Sequence, residues 1–200
     1  MVIGITGRMG TGKSEIAQIF EKNGFTLIDV DQMGHNLLRN EEIKKNIKDA
    51  FGDYPFTKRG IDRKKLSKVV FRDKRALYRF NAIMHSPLIR ELRSIIENQP
   101  DTSHLVVDCA LIFEWGIEKL FDYIILVKCN EEKIIERMVK AGRTEDETRR
   151  ILSVQLPDEE KLKKADFVIE NNGDLSELEK KTTDIITGVT GVRLKNRNNS

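Results

Sequence analysis

Gly7-Arg8-Met9-Gly10-Thr11-Gly12-Lys13-Ser14 has the spacing G-x-x-x-x-G-K-[ST] of a loop that cradles phosphates. The residue types answer the needs of that chemistry. Gly7, Gly10 and Gly12 let the backbone curl until successive N–H groups point at one anion. A helix starting after the loop adds partial positive charge at its N-terminus. Lys13 is a point charge for the β- and γ-phosphates, and the Ser14 hydroxyl is a ligand for Mg²⁺. The alternative is a glycine turn that spells the motif by accident. An apolar run before the loop and helical spacing after it argue against that. The loop implies a bound nucleoside triphosphate and leaves open what is done with it.

Transfer of a phosphoryl group to a small molecule needs a carboxylate for the attacking hydroxyl and a cationic lid over the phosphates. Asp29 and Asp31 stand in Leu-Ile-Asp-Val-Asp, where strand alternation sends both carboxylates to one side. Asp31, the outer of the two, is placed to accept the hydroxyl's proton; it is equally a residue type that caps a helix. Asp108 ends an apolar run and suits either Mg²⁺ held through water or a cap. Arg137, Lys140, Arg143, Arg149 and Arg150, with Gly142 as a hinge, are the lid cations. A pair of solvated amphipathic helices has the same pattern. His104 precedes a strand and is expected at the surface.

The elements that must position these residues follow from periodicity. Apolar runs of strand length occur at Val2–Thr6, Thr26–Val30, Leu105–Val107, Tyr123–Val127 and Phe167–Ile169. Helical spacing marks Lys13–Lys22, Glu131–Lys140, Glu145–Val154, Asp158–Lys164 and Asp174 to about Ile186. Between Asp31 and Pro100 no strand pattern is convincing. A long helix from about Asp73 to Glu97 is expected to break near Ser86-Pro87. Strands alternating with helices imply a parallel sheet covered on both faces, with a helical insert after its second strand. Arg193–Ser200 is polar and Asn-rich and reads as a frayed end.

A GTPase switch fits poorly. D-x-x-G occurs at Asp31–Gly34 and Asp49–Gly52, the first too close to Lys13 and the second inside a helical pattern, and N-K-x-D is absent. The chain instead resembles the bacterial dephospho-coenzyme A kinase family. The resemblance rests on Gly-Ile-Thr-Gly-x4-Gly-Lys-Ser at 4–14, Ile-Asp-Val-Asp at 28–31, Phe51-Gly52, Ile61-Asp62-Arg63-x-x-Leu66, and Val70-Phe71. It continues through His85 with Pro87-Leu88-Ile89, Val107-Asp108-x-x-Leu111-Ile112-Phe113-Glu114, Glu160-Lys161, and Ala165-Asp166-x-Val168-Ile169-x-Asn171-Asn172-Gly173.

The resemblance implies an α/β P-loop kinase fold: a parallel five-stranded sheet flanked by helices, with a helical substrate-binding insert and a lid. Its implied boundaries are 1–31 and 101–200 for the nucleotide-binding core, 32–100 for the CoA-binding insert and 133–164 for the lid. The implied reaction is ATP-dependent phosphorylation of the ribose 3′-hydroxyl of dephospho-CoA, the last step of coenzyme A synthesis, with Mg²⁺. Asp31 and Lys13 would be catalytic. Gly7, Met9 and Gly10 through Glu15 (Thr11, Gly12, Lys13 and Ser14 included), together with Asn172 and Gly173, would bind ATP. Arg137, Lys140 and Arg143 would contact phosphate, and Asp31, Asp62, Arg63 and His85 the acceptor. Ser14, and Asp108 through water, would hold the metal. Glu15 stands where the family has Thr, and Ser86 splits its His-Pro pair.

Composition agrees with such an enzyme. In 200 residues, 39% are hydrophobic and 34% charged, a globular balance. Apolar runs such as Ile124–Val127 are far short of the ~20 residues of a spanning helix. The N-terminus lacks a basic region and cleavage site, so no signal peptide is read there. Cys109 and Cys129 lie in apolar stretches and are expected as reduced core thiols. The formal charge is +9 between His35 and Ile96 and −6 elsewhere, which suits an anionic ligand on that block or a set of solvated helix faces. Aromatics are too sparse there for a nucleic-acid stacking platform. The expectation is a cytoplasmic monomer whose partners are ATP and dephospho-CoA, with neither nucleic acid nor membrane.

Overall fold

The computed structural model describes residues 1–100 and 102–197. The chain forms two compact units. One comprises Met1–Ile28, Pro100–Ile134 and Pro157–Ser200; the other comprises Asp29–Gln99 and Ile135–Leu156.

The first unit is built on a five-stranded sheet. Its strands are β1 (Val2–Thr6), β2 (Thr26–Asp29), β5 (Leu105–Asp108), β6 (Tyr123–Lys128) and β7 (Phe167–Glu170), in the order β2-β5-β1-β6-β7. β1 pairs in parallel with β5 and β6, and β6 with β7. The central strands read as unbroken apolar runs because both faces are covered. Ile3, Ile5, Val106, Ile125 and Val127 are inaccessible to solvent. Helix α1 (Lys13–Lys22) presents Ile16, Ile19 and Phe20 to this core, and Phe20 meets Phe25 edge-on at 4.9 Å. Cys109 and Cys129 are both buried thiols outside any disulfide.

Helix α9 (Leu175–Arg197) packs on α1 and runs well past Ile186. Its buried stripe continues through Ile186 to Val189, and the hydroxyls of Thr182, Thr183, Thr187 and Thr190 bond back to carbonyls four residues earlier. The expected frayed end from Arg193 is thus helical as far as Arg197, and its last residues, 198–200, lie outside the described residues.

The second unit is mainly helical: α2 (Val30–Leu37), α3 (Glu41–Phe51), α4 (Arg63–Val70), α5 (Lys74–Glu97) and α7 (Glu145–Val154), with most of α6 (Glu131–Lys140). Side chains of Asp29, Asn40, Asp62 and Asp73 cap the first four, and Thr144 and Glu147 form a capping box on α7. Two sequence expectations fail here. A small antiparallel hairpin, β3 (Phe56–Thr57) with β4 (Gly60–Ile61), occupies the stretch read as strandless. Two-residue strands are too short to show alternation. In addition, α5 does not break at Ser86-Pro87. Buried Met84, Leu88 and Leu92 carry one apolar stripe across the proline and offset its lost N–H bond.

Candidate active site

The phosphate loop lies between β1 and α1. Gly7 (φ +147°) and Gly12 (φ +96°) hold conformations that side chains rarely adopt. A Cβ on Gly7 would strike the Val127 carbonyl, and one on Gly12 the Asn171 side-chain amide. The loop is braced from within. Thr11 Oγ1 donates to the Arg8 carbonyl at 2.9 Å, and Lys13 Nζ donates to the same oxygen at 3.1 Å. Buried Asn171 donates to the Thr11 carbonyl at 2.9 Å. Glu15 is exposed on the first turn of α1.

Ser14 Oγ donates to Asp108 Oδ2 at 2.8 Å. This joins the two residues expected to share a metal, one at the start of α1 and one at the end of β5. Two hard oxygen donors suit Mg²⁺, which keeps several waters and needs few protein ligands. Among the described residues no cluster of three or more His, Cys, Asp or Glu could hold a metal alone.

The loop after β5 is fixed by a buried cation. Lys161, on the short helix α8 (Asp158–Leu162), is fully inaccessible. Its ammonium donates to the Ala110 carbonyl at 2.9 Å and pairs with Glu114 Oε1 at 2.9 Å. Thr6 Oγ1 donates to the same carbonyl at 3.0 Å. Arg8 is likewise paired, with Asp158 and Glu131. Neither Lys161 nor Arg8 has a role in the sequence reading. Glu114 and Lys161 stand 47 positions apart in the sequence, and no local periodicity joins them.

Asn172 is taken up structurally: its Oδ1 accepts from Asn130 N at 2.9 Å, and its carbonyl accepts from Lys133 Nζ. Gly173 adjoins Glu177, whose carboxylate fills the space a side chain would need. His104 is half-buried against Phe25 at 5.4 Å, not at the surface.

On the second unit, Asp31 is exposed on the first turn of α2. Strand alternation does not place Asp31, because the helix begins at Val30 and Asp29 is its cap, accepting from Gln32 N at 2.9 Å. That leaves the Asp31 carboxylate outside the capping role. His35 lies one turn along the same helix face. Burial and the Arg63 guanidinium hold its imidazole below the ordinary 6.5, against the opposing pull of Asp31 and Asp29. Asp31, His35 and Arg63 therefore share one neighbourhood.

Asp62 caps α4 through Oδ1, accepting from Lys64 N at 2.9 Å and Lys65 N at 3.1 Å. His85 opens a groove of about 470 Å³ along α5, with Arg90 and Arg93 further on. Lys140 pairs with Glu136 at 2.6 Å at the surface of α6, beyond Arg137. Arg143 follows Gly142 (φ +86°), which ends that helix.

Comparison with known proteins decides the family. The sequence pattern described as dephospho-CoA kinase matches residues 1–177. The chain belongs to the dephospho-CoA kinase family. Curated dephospho-CoA kinases of Fusobacterium nucleatum and Aquifex aeolicus are 35% and 34% identical over 183 and 190 residues. These alignments cover 90% and 94% of this chain, and 94% and 97% of the relatives. A solved Thermus thermophilus protein superposes with a TM-score of 0.74 at 29% identity, covering 94% of this chain and 97% of that one. Dephospho-CoA kinase from Campylobacter jejuni gives 0.66 at 26%, covering 96% and 98%. A shikimate kinase of Acinetobacter baumannii, at 14% identity and 0.57, shares the fold. The chain is thus a P-loop kinase with ATP as the donor its family uses, and none of its described helices is long and apolar enough to cross a membrane.

Proposed function

We propose that this chain transfers the γ-phosphoryl group of ATP to the ribose 3′-hydroxyl of dephospho-CoA. The observation that carries the reading is the braced phosphate loop with Ser14 bonded to Asp108, in a chain of this family. The backbone N–H groups of Gly7, Met9 and Gly10 through Glu15 receive the phosphates. Lys13 leaves the Arg8 carbonyl for the stronger, charge-assisted acceptor that phosphate offers. Ser14 and Asp108 would hold Mg²⁺, which would supply positive charge to offset that of the phosphates. The Asn172 side-chain amide and Gly173 meet the adenine.

Asp31 orients the 3′-hydroxyl and accepts its proton. The hydroxyl oxygen bonds to the γ-phosphorus, the bond from that phosphorus to the β-γ bridging oxygen breaks, and ADP leaves. Asp62, through its uncommitted Oδ2, with Arg63 and His85, binds the acceptor. Residues 32–100 serve as the CoA-binding insert and 133–164 as the lid, with Arg137, Lys140 and Arg143 on the transferred phosphate.

ADP release with Mg-ATP is the test, against dephospho-CoA, AMP, adenosine, pantothenate and no acceptor. ADP forms with dephospho-CoA alone, and CoA is the product. Asp31→Asn lowers turnover by about 10²–10⁴-fold, the usual worth of a general base, with ATP affinity little changed. Turnover with AMP in place of dephospho-CoA overturns the acceptor, and unchanged turnover in Asp31→Asn overturns the base.

A further inference from the structure

Arg8 occupies a variable position of the phosphate loop, yet its side chain is only 17% exposed. It reaches two carboxylates. Nη1 lies 3.5 Å from Glu131 Oε2, and Nε lies 3.3 Å from Asp158 Oδ2. The Asp158 side chain is 6% exposed. The two acids have a particular place in the chain. Residues 135–156 leave the sheet-bearing unit after Ile134 and return to it at Pro157. Glu131 is on the outgoing stem and Asp158 on the returning one. Arg8 bridges both stems at their roots.

The same residue anchors the loop from inside, since its carbonyl receives Lys13 Nζ and Thr11 Oγ1. Arg8 thus contacts the phosphate cradle through its backbone and the stems through its guanidinium. The ion pairs are also unfinished. Arg8 Nε and Asp158 Oδ1 are buried and make no hydrogen bond, although one pair of fork–carboxylate bonds would satisfy both. A small rotation of either side chain converts the present ion pair to that bidentate form. A loop that rearranges when Lys13 turns to phosphate supplies such a movement.

We infer that Arg8 is a positioning residue that couples nucleotide binding in the phosphate loop to the two stems of segment 135–156. The inference rests on the kinase reading for the nucleotide and not on the identity of the acceptor.

The test is limited trypsin digestion of the full chain with and without Mg²⁺ and the non-hydrolysable analogue AMP-PNP. Cleavage is followed after Arg137, Lys140 and Arg143, and analogue affinity is measured in parallel. In the parent, the analogue slows cleavage at these sites several-fold. In Arg8→Met at saturating analogue that protection is lost, and analogue affinity drops about tenfold. Asp158→Asn, which keeps the shape and removes the charge, gives the same pattern more weakly, and Arg8→Lys recovers part of it. Protection equal to the parent's in both Arg8→Met and Asp158→Asn at saturating analogue overturns the inference, as does a parent showing no protection. If Arg8→Met does not fold, Asp158→Asn and Arg8→Lys decide alone. Failure of the parent to phosphorylate dephospho-CoA, with protection intact, strikes the acceptor assignment and leaves this inference standing.

Discussion

Lys161→Met is the sharpest test of how the loop after β5 is held. The ammonium is fully buried and has two partners, Glu114 Oε1 and the Ala110 carbonyl, each at 2.9 Å. Met keeps much of the volume and removes the charge. Glu114, whose side chain is 15% exposed, then loses the ammonium beside its Oε1. Removing one partner of a buried pair costs about 3–5 kcal/mol because the other charge stays behind. Each kcal/mol moves the midpoint by about 2–4 °C in a chain of this size, so a drop of about 6–20 °C follows. Trp115 is the only tryptophan and adjoins Glu114, so a fluorescence melt reads this spot. The double change Lys161→Met with Glu114→Leu removes both charges and restores most of the loss. A single variant melting within about 2 °C of the parent refutes the reasoning, since that is worth no more than about 1 kcal/mol. So does a double variant no more stable than the single.

Two further outcomes follow from the helical unit. His35 titrates below its ordinary 6.5, because burial and then Arg63 disfavour the imidazolium more than Asp31 and Asp29 favour it. Just below pH 6.5 the unfolded chain therefore binds more protons than the folded one, so His35's contribution is complete above that pH and is lost on acidification. Urea midpoints of His35→Gln should fall less steeply than the parent's as pH is lowered below 6.5, and parallel curves would remove His35 as the cause. Pro87→Ala restores an N–H and removes a ring clash in mid-helix, which should raise unfolding free energy by about 1–3 kcal/mol in urea titration. A less stable Pro87→Ala would mean that the ring's packing outweighs the backbone cost.

The sheet was legible in the sequence because parallel strands buried on both faces have no other way to read than Val2–Thr6 or Tyr123–Lys128 do. The phosphate loop was legible because glycine spacing is a backbone requirement. What escaped was decided by tertiary contact. The boundary of β2 with α2 turns on one hydrogen bond, from Gln32 N–H to Asp29 Oδ1, which places Asp31 in the helix and not the strand. Pro87 reads as a breaker because local rules do not see the stripe of Met84, Leu88 and Leu92 around it. Arg8 and Lys161 were unreadable as site residues, since an isolated basic residue carries no sign of which distant carboxylate it will meet.

These two cations answer a problem set by the loop itself. A phosphate cradle spends its backbone N–H groups on the ligand, so they cannot brace the loop. Its shape must come from carbonyls and side chains instead. In the cradle the Arg8 carbonyl accepts from Thr11 and Lys13 and the Thr11 carbonyl from Asn171, and in the neighbouring loop after β5 the Ala110 carbonyl accepts from Thr6 and Lys161. Apolar packing cannot supply that bracing, because it does not hold a carbonyl in one direction. Buried polar groups are costly, but fully bonded ones fix geometry. Stability lost in burying Lys161 and Arg8 is thus tied to the position of Asp108, Ser14 and Lys13. A variant that relieves the buried charge, such as Lys161→Met with Glu114→Leu, can regain stability and still lose the alignment on which phosphoryl transfer depends.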